Sequence, residues 1–333
     1  MGTPPAAART AAFPARAAFP ALNAAYARVF QPGRLSIGLT VPVAAYPHSD
    51  VPADEDVLGV AQRVRAVEQA GFAAVWLRDV PFRVPSFGDA GHVTDPWVTL
   101  GLLAGQTSRI ALGVASIVLP LRHPAHVAKA AASVDQLSGG RLLLGIASGD
   151  RPAEYPAMGA SFEDRGARFR EAVRYIRAMG QPWPRLESPF GSPSGVDLLP
   201  KPTGPRLPLL ITGGSQQTPE WLAANGDGWM TYPRPPAAQA RFIAELRDRS
   251  ARLGQPERPV MQPLYVDLLS DPDAPPTPIH LGIRTGMHAL RELLTVLQDA
   301  GVNHVALNLR FQRGPVERTL DRLASSLLPD FPA

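Results

Sequence analysis

Eight short apolar runs recur along this chain, each followed by a stretch of helical periodicity, and that alternation narrows the possible folds more than any other feature. The runs are Leu35–Val41, Phe72–Leu77, Ile110–Val118, Arg141–Ala147, Leu209–Thr212, Trp229–Tyr232, Val260–Leu268 and His304–Leu309. Helical patterns lie between and after them: Asp54–Ala70, Pro96–Thr107, His123–Leu137, Phe162–Met179, Pro219–Asn225, Pro236–Leu253, Met287–Ala300 and Val316–Leu328. In the first, Val57, Val60, Ala61, Val64 and Val67 recur at three- and four-residue spacing, and Gly71 supplies a stop. Thr94 or Asp95 caps the second, with Pro96 in the first turn, where a missing N–H costs nothing. Runs such as FAAVWL and LLLGIA are apolar throughout, as expected of strands covered on both faces. Eight strand–helix repeats predict an α/β fold, a (β/α)8 TIM-like barrel with inserted loops. A doubly wound open sheet would want a Gly-rich dinucleotide turn after its first strand, and GLTVPVAAYPHSD has none.

The reading divides the chain into an Ala/Pro-rich extension ending in a short helix, residues 1–33, and one barrel domain, residues 34–333. Within 1–33 the helix is expected over Ala21–Phe30. A secretory signal is disfavoured because Pro14 and Pro20 interrupt any apolar core. Gln181–Pro208 and Asp271–Thr285 carry no periodicity and are expected as outer loops. The chain has no cysteine, which excludes disulfides, thiolate nucleophiles and iron–sulfur ligation and agrees with a cytoplasmic location. No apolar run approaches the ~18 residues of a membrane span. The formal charge of +4 rests on arginines dispersed among acids, with Lys129 and Lys201 the only lysines. No basic run with interleaved aromatics appears, so neither nucleic acid nor membrane is expected as a partner.

Chemistry is expected where loops leave the carboxyl ends of barrel strands. Ser116–His123 and Ser148–Tyr155 are two such loops, and Gly213-Gly214-Ser215 is a third. Amides freed by two glycines ahead of a helix can cradle a phosphate, with the Ser215 and Thr218 hydroxyls as further donors. The plain alternative is a tight turn followed by a Thr218 N-cap. Asp79 ends the second strand at the barrel mouth. Asp150 and Arg151 form either a surface ion pair or, through Arg151, an anchor for an anion. His123 and His126 have the i, i+3 spacing of a metal pair, but no third ligand is near in sequence and the position suits capping; no metal site is expected.

The segment Ala111–Tyr155, ALGVASIVLPLRHPAHVAKAAASVDQLSGGRLLLGIASGDRPAEY, resembles the core of the bacterial luciferase-like flavin-dependent monooxygenases at nearly every fixed position of their pattern. The run ITGGSQQTPEWLAANGDGWM resembles the family's phosphate turn and the segment after it. The resemblance implies an oxidoreductase that uses reduced FMN and oxygen to oxygenate a small organic substrate. It further implies a separate NAD(P)H:flavin reductase and a homodimer. Carried over residue by residue, it makes Ala115 and Ser116 a non-prolyl cis peptide under the flavin ring, and Gly213, Gly214, Ser215 and Thr218 the phosphate site. It places Ser148, Gly149, Glu154 and Tyr155 along the ribityl-phosphate, and Asp79 against the isoalloxazine. Catalytic residues stay unassigned, with Asp79, His123 and Arg151 as candidates. Two departures stand out. Luciferase itself has a catalytic histidine where this chain has Asp79, and an arginine where it has Ser148. Alternatives are a deazaflavin-coenzyme-dependent reductase or dehydrogenase of the same fold, or a non-catalytic flavin-binding protein. Substrate choice is expected from Pro81–Val93 and the loops at Gln181–Pro208 and Asp271–Thr285.

Overall fold

The computed structural model describes residues 18–46, 57–87 and 94–332; His48, His92 and the first seventeen residues of the expected extension lie outside them. In chain order the elements are α1 (Ala24–Val29), β1 (Ser36–Thr40), α2 (Val57–Gln69), β2 (Ala74–Leu77), α3 (Pro96–Gln106), β3 (Ala111–Val118), α4 (Pro124–Leu137), β4 (Leu142–Ala147), α5 (Glu154–Ala157) and α6 (Arg165–Met179). They continue with β5 (Leu209–Thr212), α7 (Pro219–Asn225), β6 (Gly228–Met230), α8 (Pro236–Arg252), β7 (Val260–Leu268), β8 (Thr277–Ile279), β9 (Gly282–Thr285), α9 (Met287–Asp299), β10 (His304–Asn308) and α10 (Val316–Ser326). Strands β1 to β7 pair in sequence order, all parallel, and β10 closes the ring between β7 and β1. This is the expected eight-stranded barrel with helices between its strands.

Each barrel strand has two buried faces. Ile37, Leu39, Val75, Leu77, Leu112, Val114, Leu144, Ile146, Val305 and Leu307 point outward into one continuous core with the helices. The alternate residues form a second, smaller core inside the ring: Ala74, Trp76, Ala111, Leu143, Leu210, Met230, Met261 and Ala306. This is the period of two expected of a strand. Glycines make the inner packing possible. A Cβ on Gly113 would lie 2.2 Å from the Trp76 ring, and one on Gly38 2.8 Å from the His304 ring.

Helix α1 belongs to that inner core. Phe19, Leu22, Ala25, Tyr26, Val29 and Phe30 pack against the inward strand residues, so this part of residues 1–33 closes one end of the barrel and is not an appendage. Polar bonds fix it there. Asn23 caps α1 and donates to Asp135 Oδ1 and to the Leu142 carbonyl, and the Tyr26 hydroxyl donates to the Asp227 carbonyl. A hydrogen-bond chain then crosses the interior. Trp76 Nε1 donates to His304 Nε2 at 2.9 Å, so Nδ1 carries the proton toward Ser36 Oγ at 2.7 Å, and Ser36 donates to the Val29 carbonyl at 2.7 Å. Every polar atom of the chain is satisfied only while His304 is neutral, and burial pushes its pKa down to about 3.

One expectation is corrected. Asp271–Thr285 holds the hairpin β8–β9 in place of an irregular loop, joined by the two-residue turn His280-Leu281. Strand β6 is three residues long and β7 nine, so β7 outruns its neighbour. At Met261 the two edges of β7 pair with β6 and β10; at Tyr265 they pair with β9 and β10. The hairpin therefore continues the wall where β6 stops. Strands this short show no period of their own.

Two predictions follow from the inner packing. Gly113→Ala should destabilise the fold by about 1–3 kcal/mol through overpacking against Trp76. Gly101→Ala, in α3 with nothing within 4 Å of the added methyl, should stabilise by about 0.5–1 kcal/mol. Urea unfolding of both variants tests the contrast. Because the folded pKa of His304 lies below the ordinary 6.5, its contribution is full above that pH and is lost as pH falls toward about 3. Wild type should therefore lose up to about 1.4 kcal/mol per pH unit below pH 6.5 that His304→Gln does not lose. Parallel stability profiles for the two proteins would contradict this.

Candidate functional site

At the carboxyl ends of the strands the inward positions hold small or flexible residues in place of large ones, and a cavity of about 830 Å³ opens. Ala115, Ser116, Ala147, Thr212, Met230, Pro263 and Tyr265 form its floor and lower walls, and the loops after the strands form its rim. Of the predicted site residues, Asp79, Ala115, Ser116, Ser148, Gly149, Arg151, Glu154, Gly213, Gly214 and Ser215 meet around this one space. They come from the ends of β2, β3, β4 and β5.

The β3–β5 side is flat and rich in backbone. The Ala115–Ser116 peptide is cis. Ser116 Oγ hydrogen-bonds Thr212 Oγ1 and lies 3.6 Å from the Met230 sulfur. A Cβ on Gly145 would lie 2.1 Å from the Val114 carbonyl oxygen and 2.5 Å from that sulfur, so only glycine fits behind the peptide. The turn after β5 has positive φ at Gly213 (55°), Ser215 (43°) and Gln216 (58°). Among the described residues, no group accepts from the amides of Gly214, Ser215 or Gln216. Three successive unpartnered amides at a curled turn make a concave donor site for an anion. The two hydroxyls bond within the protein. Ser215 Oγ donates to the Thr212 carbonyl at 2.8 Å and accepts from Ser148 N at 3.3 Å, so its proton is committed within the loop. Thr218 caps α7 by accepting from Trp221 N, away from the cavity lining.

Charged groups crowd the neighbouring wall. Asp79, 8% exposed, accepts from Val118 N at 3.0 Å and from Arg122 at 3.0 and 2.7 Å. Arg122 also reaches Asp95, the N-cap of α3. The Asp79 carboxylate is thus largely saturated by protein donors and faces the cavity as a fixed, neutralised wall. Arg151 is buried, with its guanidinium over the Phe87 ring at 4.7 Å and 3.6 Å from Glu154 Oε1. That carboxylate oxygen has no hydrogen-bond partner among the described residues, and burial raises the Glu154 pKa against the pull of Arg151. Tyr155 stands behind the wall. Its hydroxyl donates to the Ser148 carbonyl, and a Cβ on Gly149 would come within 2.7 Å of it. Burial pushes the Tyr155 pKa up to about 12, which keeps the phenol a donor.

His123 does not line the cavity. It caps α4 through Nδ1, bonds the Phe190 carbonyl through Nε2 at 2.8 Å, and lies edge-on to Tyr175 and Phe190. His126 packs edge-on against it at 5.9 Å. Of the opposite half of the cavity, sequence pointed only to the Asp271–Thr285 segment, which contributes His280 and Leu281. Tyr232 follows β6, Tyr265 is an inward residue of β7, His280 and Leu281 form the hairpin turn, and Arg310 and Phe311 follow β10. Phe311 and Arg310 had a usable signal, since they directly follow the last barrel strand.

A model of the luciferase-like monooxygenases matches residues 15–273. An uncharacterised protein of Mycobacterium tuberculosis is 32% identical over 196 residues, 52% of this chain and 67% of its own length. The F420-dependent hydroxymycolic acid dehydrogenase of the same organism is 33% identical over 177 residues, covering 51% of this chain and 48% of that protein. Two solved structures share the fold. A monooxygenase from Streptomyces bottropensis superposes with a TM-score of 0.72 at 19% identity, over 88% of this chain and 99% of that one. The oxygenating constituent of 3,6-diketocamphane monooxygenase from Pseudomonas putida, in complex with FMN, gives 0.70 at 12% identity, over 90% and 99%. The chain belongs to the luciferase-like monooxygenase family of oxidoreductases, whose members include both FMN monooxygenases and F420-dependent dehydrogenases.

Proposed function

We propose that this chain is an FMN-dependent monooxygenase acting on a small organic substrate. The observation that carries the reading is the set of amides at Gly214, Ser215 and Gln216 with no acceptor among the described residues, lining the same cavity as the flat Ala115–Ser116 surface. A phosphate at one end and a planar ring at the other match those two features. Reduced FMN, when bound, supplies the electrons with which oxygen delivers one atom to the substrate.

The residues of this chain do the positioning. The three amides hold a phosphate without proton transfer and at no cost in reorganisation. Gly145 and the small Ala115 and Ala147 keep the wall low enough for a ring to approach the backbone. The Asp79–Arg122 pair fixes the ends of β2 and β3 relative to each other and presents little net charge to a ring. Arg151, held between Phe87 and Glu154, places a cation at the cavity rim, where it favours an anionic ligand. In this reading a separate NAD(P)H:flavin reductase supplies reduced FMN, and the chain works as a cytoplasmic homodimer.

A second reading is favoured by one observation, the 33% identity to an F420-dependent dehydrogenase. In it the same cavity takes the deazaflavin coenzyme and transfers hydride without oxygen.

Anaerobic fluorescence titration with FMN, reduced FMN and the deazaflavin coenzyme separates the two. FMN in either redox state should bind more tightly than the deazaflavin. Gly214→Asp, which has open space around the new side chain, should weaken FMN at least about tenfold (~1.4 kcal/mol) by setting a carboxylate beside the amides. Tighter binding of the deazaflavin would move the protein to hydride transfer. No binding of any of them would remove the cofactor reading altogether.

A further inference from the structure

The half of the cavity away from the amide cradle has its own composition. Tyr265 and Phe311 lie 5.3 Å apart between ring centroids, inclined at 42°. The His280 ring meets both edge-on, at 5.9 Å from Tyr265 and 6.4 Å from Phe311. Three rings from three separate segments thus make one continuous aromatic wall. The guanidinium of Arg310 lies 5.3 Å from the Phe311 centroid and 5.3 Å from that of Tyr46, which fixes the Phe311 end.

The wall also carries polar atoms open to a ligand. Neither the Tyr265 hydroxyl nor either ring nitrogen of His280 has a hydrogen-bond partner among the described residues. His280 is the only histidine among the described residues that lines the cavity: His123 packs on Tyr175 of α6, His126 on His123, His288 bonds Asp273, and His304 is sealed in the inner core. It reaches the cavity because the two-residue hairpin turn aims both its side chains there, with Leu281 in the left-handed region at φ 49°. Leu281 (36% exposed) and Tyr232 (49%) extend the apolar surface to the rim.

We propose that the Tyr265–His280–Phe311 wall is the substrate subsite, and that it takes a planar, unsaturated or aromatic molecule bearing one hydrogen-bonding oxygen. The flat face lies on Phe311 and Tyr265, and the oxygen is read by His280 and the Tyr265 hydroxyl. This inference rests on the monooxygenase reading for what is done to the substrate, but not for what is bound. A ring on an aromatic wall gains roughly two- to tenfold in affinity beyond simple burial. His280 is exposed and Tyr265 half-buried, so a ligand that displaces their water without bonding them is disfavoured against one whose oxygen bonds them.

Three probes isolate the terms: 1-naphthol has ring and oxygen, 1-methylnaphthalene the ring alone, and decahydro-1-naphthol the oxygen without a flat ring. Calorimetric titration of the full chain, with and without FMN, should rank 1-naphthol first and about tenfold above each of the others. Phe311→Leu should weaken both aromatic probes by about tenfold, while His280→Ala and Tyr265→Phe should abolish the preference for 1-naphthol over 1-methylnaphthalene. His280 sits on an exposed turn, so its variant folds even where Phe311→Leu does not. FMN affinity should change less than about twofold in His280→Ala. Equal binding of flat and saturated probes, an unchanged preference in His280→Ala and Tyr265→Phe, or displacement of FMN by 1-naphthol would each overturn the subsite. Failure of the unsubstituted protein to bind FMN, with the probe ranking intact, would instead overturn the cofactor reading alone.

Discussion

Trp76 is the side chain around which the barrel is organised. Its ring lies where Gly113 has no side chain, and its indole nitrogen reaches across to His304 on β10. One residue therefore spans from β3 past β1 to the closing strand. Together with Tyr26, Phe30 and His304 it fills one end of the ring and leaves small residues, Ala115, Ala147 and Thr212, at the other. A barrel with both ends filled would have no room for a ligand. The same polar chain that seals the lower end ties α1 to the strands through Ser36 and Val29, so the plug and the barrel wall form one cooperative unit.

Electrostatics at the open end follow a division of labour. Carboxylates that would repel an anionic ligand are offset by protein cations: Asp79 is hydrogen-bonded by Arg122 and Val118, and Glu154 stands 3.6 Å from the Arg151 guanidinium. Backbone amides at Gly214 to Gln216 have no acceptor among the described residues. An anion drawn to this face meets fixed dipoles and not mobile side chains, and fixed donors lose little entropy on binding.

Much of this was legible in the sequence, for identifiable reasons. The barrel strands end within two residues of their apolar runs, because a strand buried on both faces tolerates little else. The paired glycines before α7 marked the curled turn, since Gly213 occupies a positive φ that costs glycine nothing. Other features were not readable. Ser215 and Thr218 are polar residues beside a glycine pair, and nothing in their spacing says whether a hydroxyl serves a ligand, a cap or its own loop. His123 likewise carries an imidazole that a helix start can absorb. The aromatic wall was invisible because Tyr265, His280 and Phe311 are brought together only by strand pairing, across 46 positions of chain between the first and last. Helix α1 looked separable because six residues give too little period to show which face is buried, and its partners lie inside a ring that exists only after closure.

The β8–β9 hairpin has a consequence for how such a protein can change. It pairs with β7 along Tyr265–Leu268, beyond the reach of β6, while barrel closure depends on the other edge of β7, where Met261–Tyr265 pairs with His304–Asn308. Its turn can exchange residues, lengthen or shorten without breaking a hydrogen bond that holds the ring together. The chain thus keeps one interchangeable panel in an otherwise fixed vessel, and new selectivity can be tried there at little risk to folding.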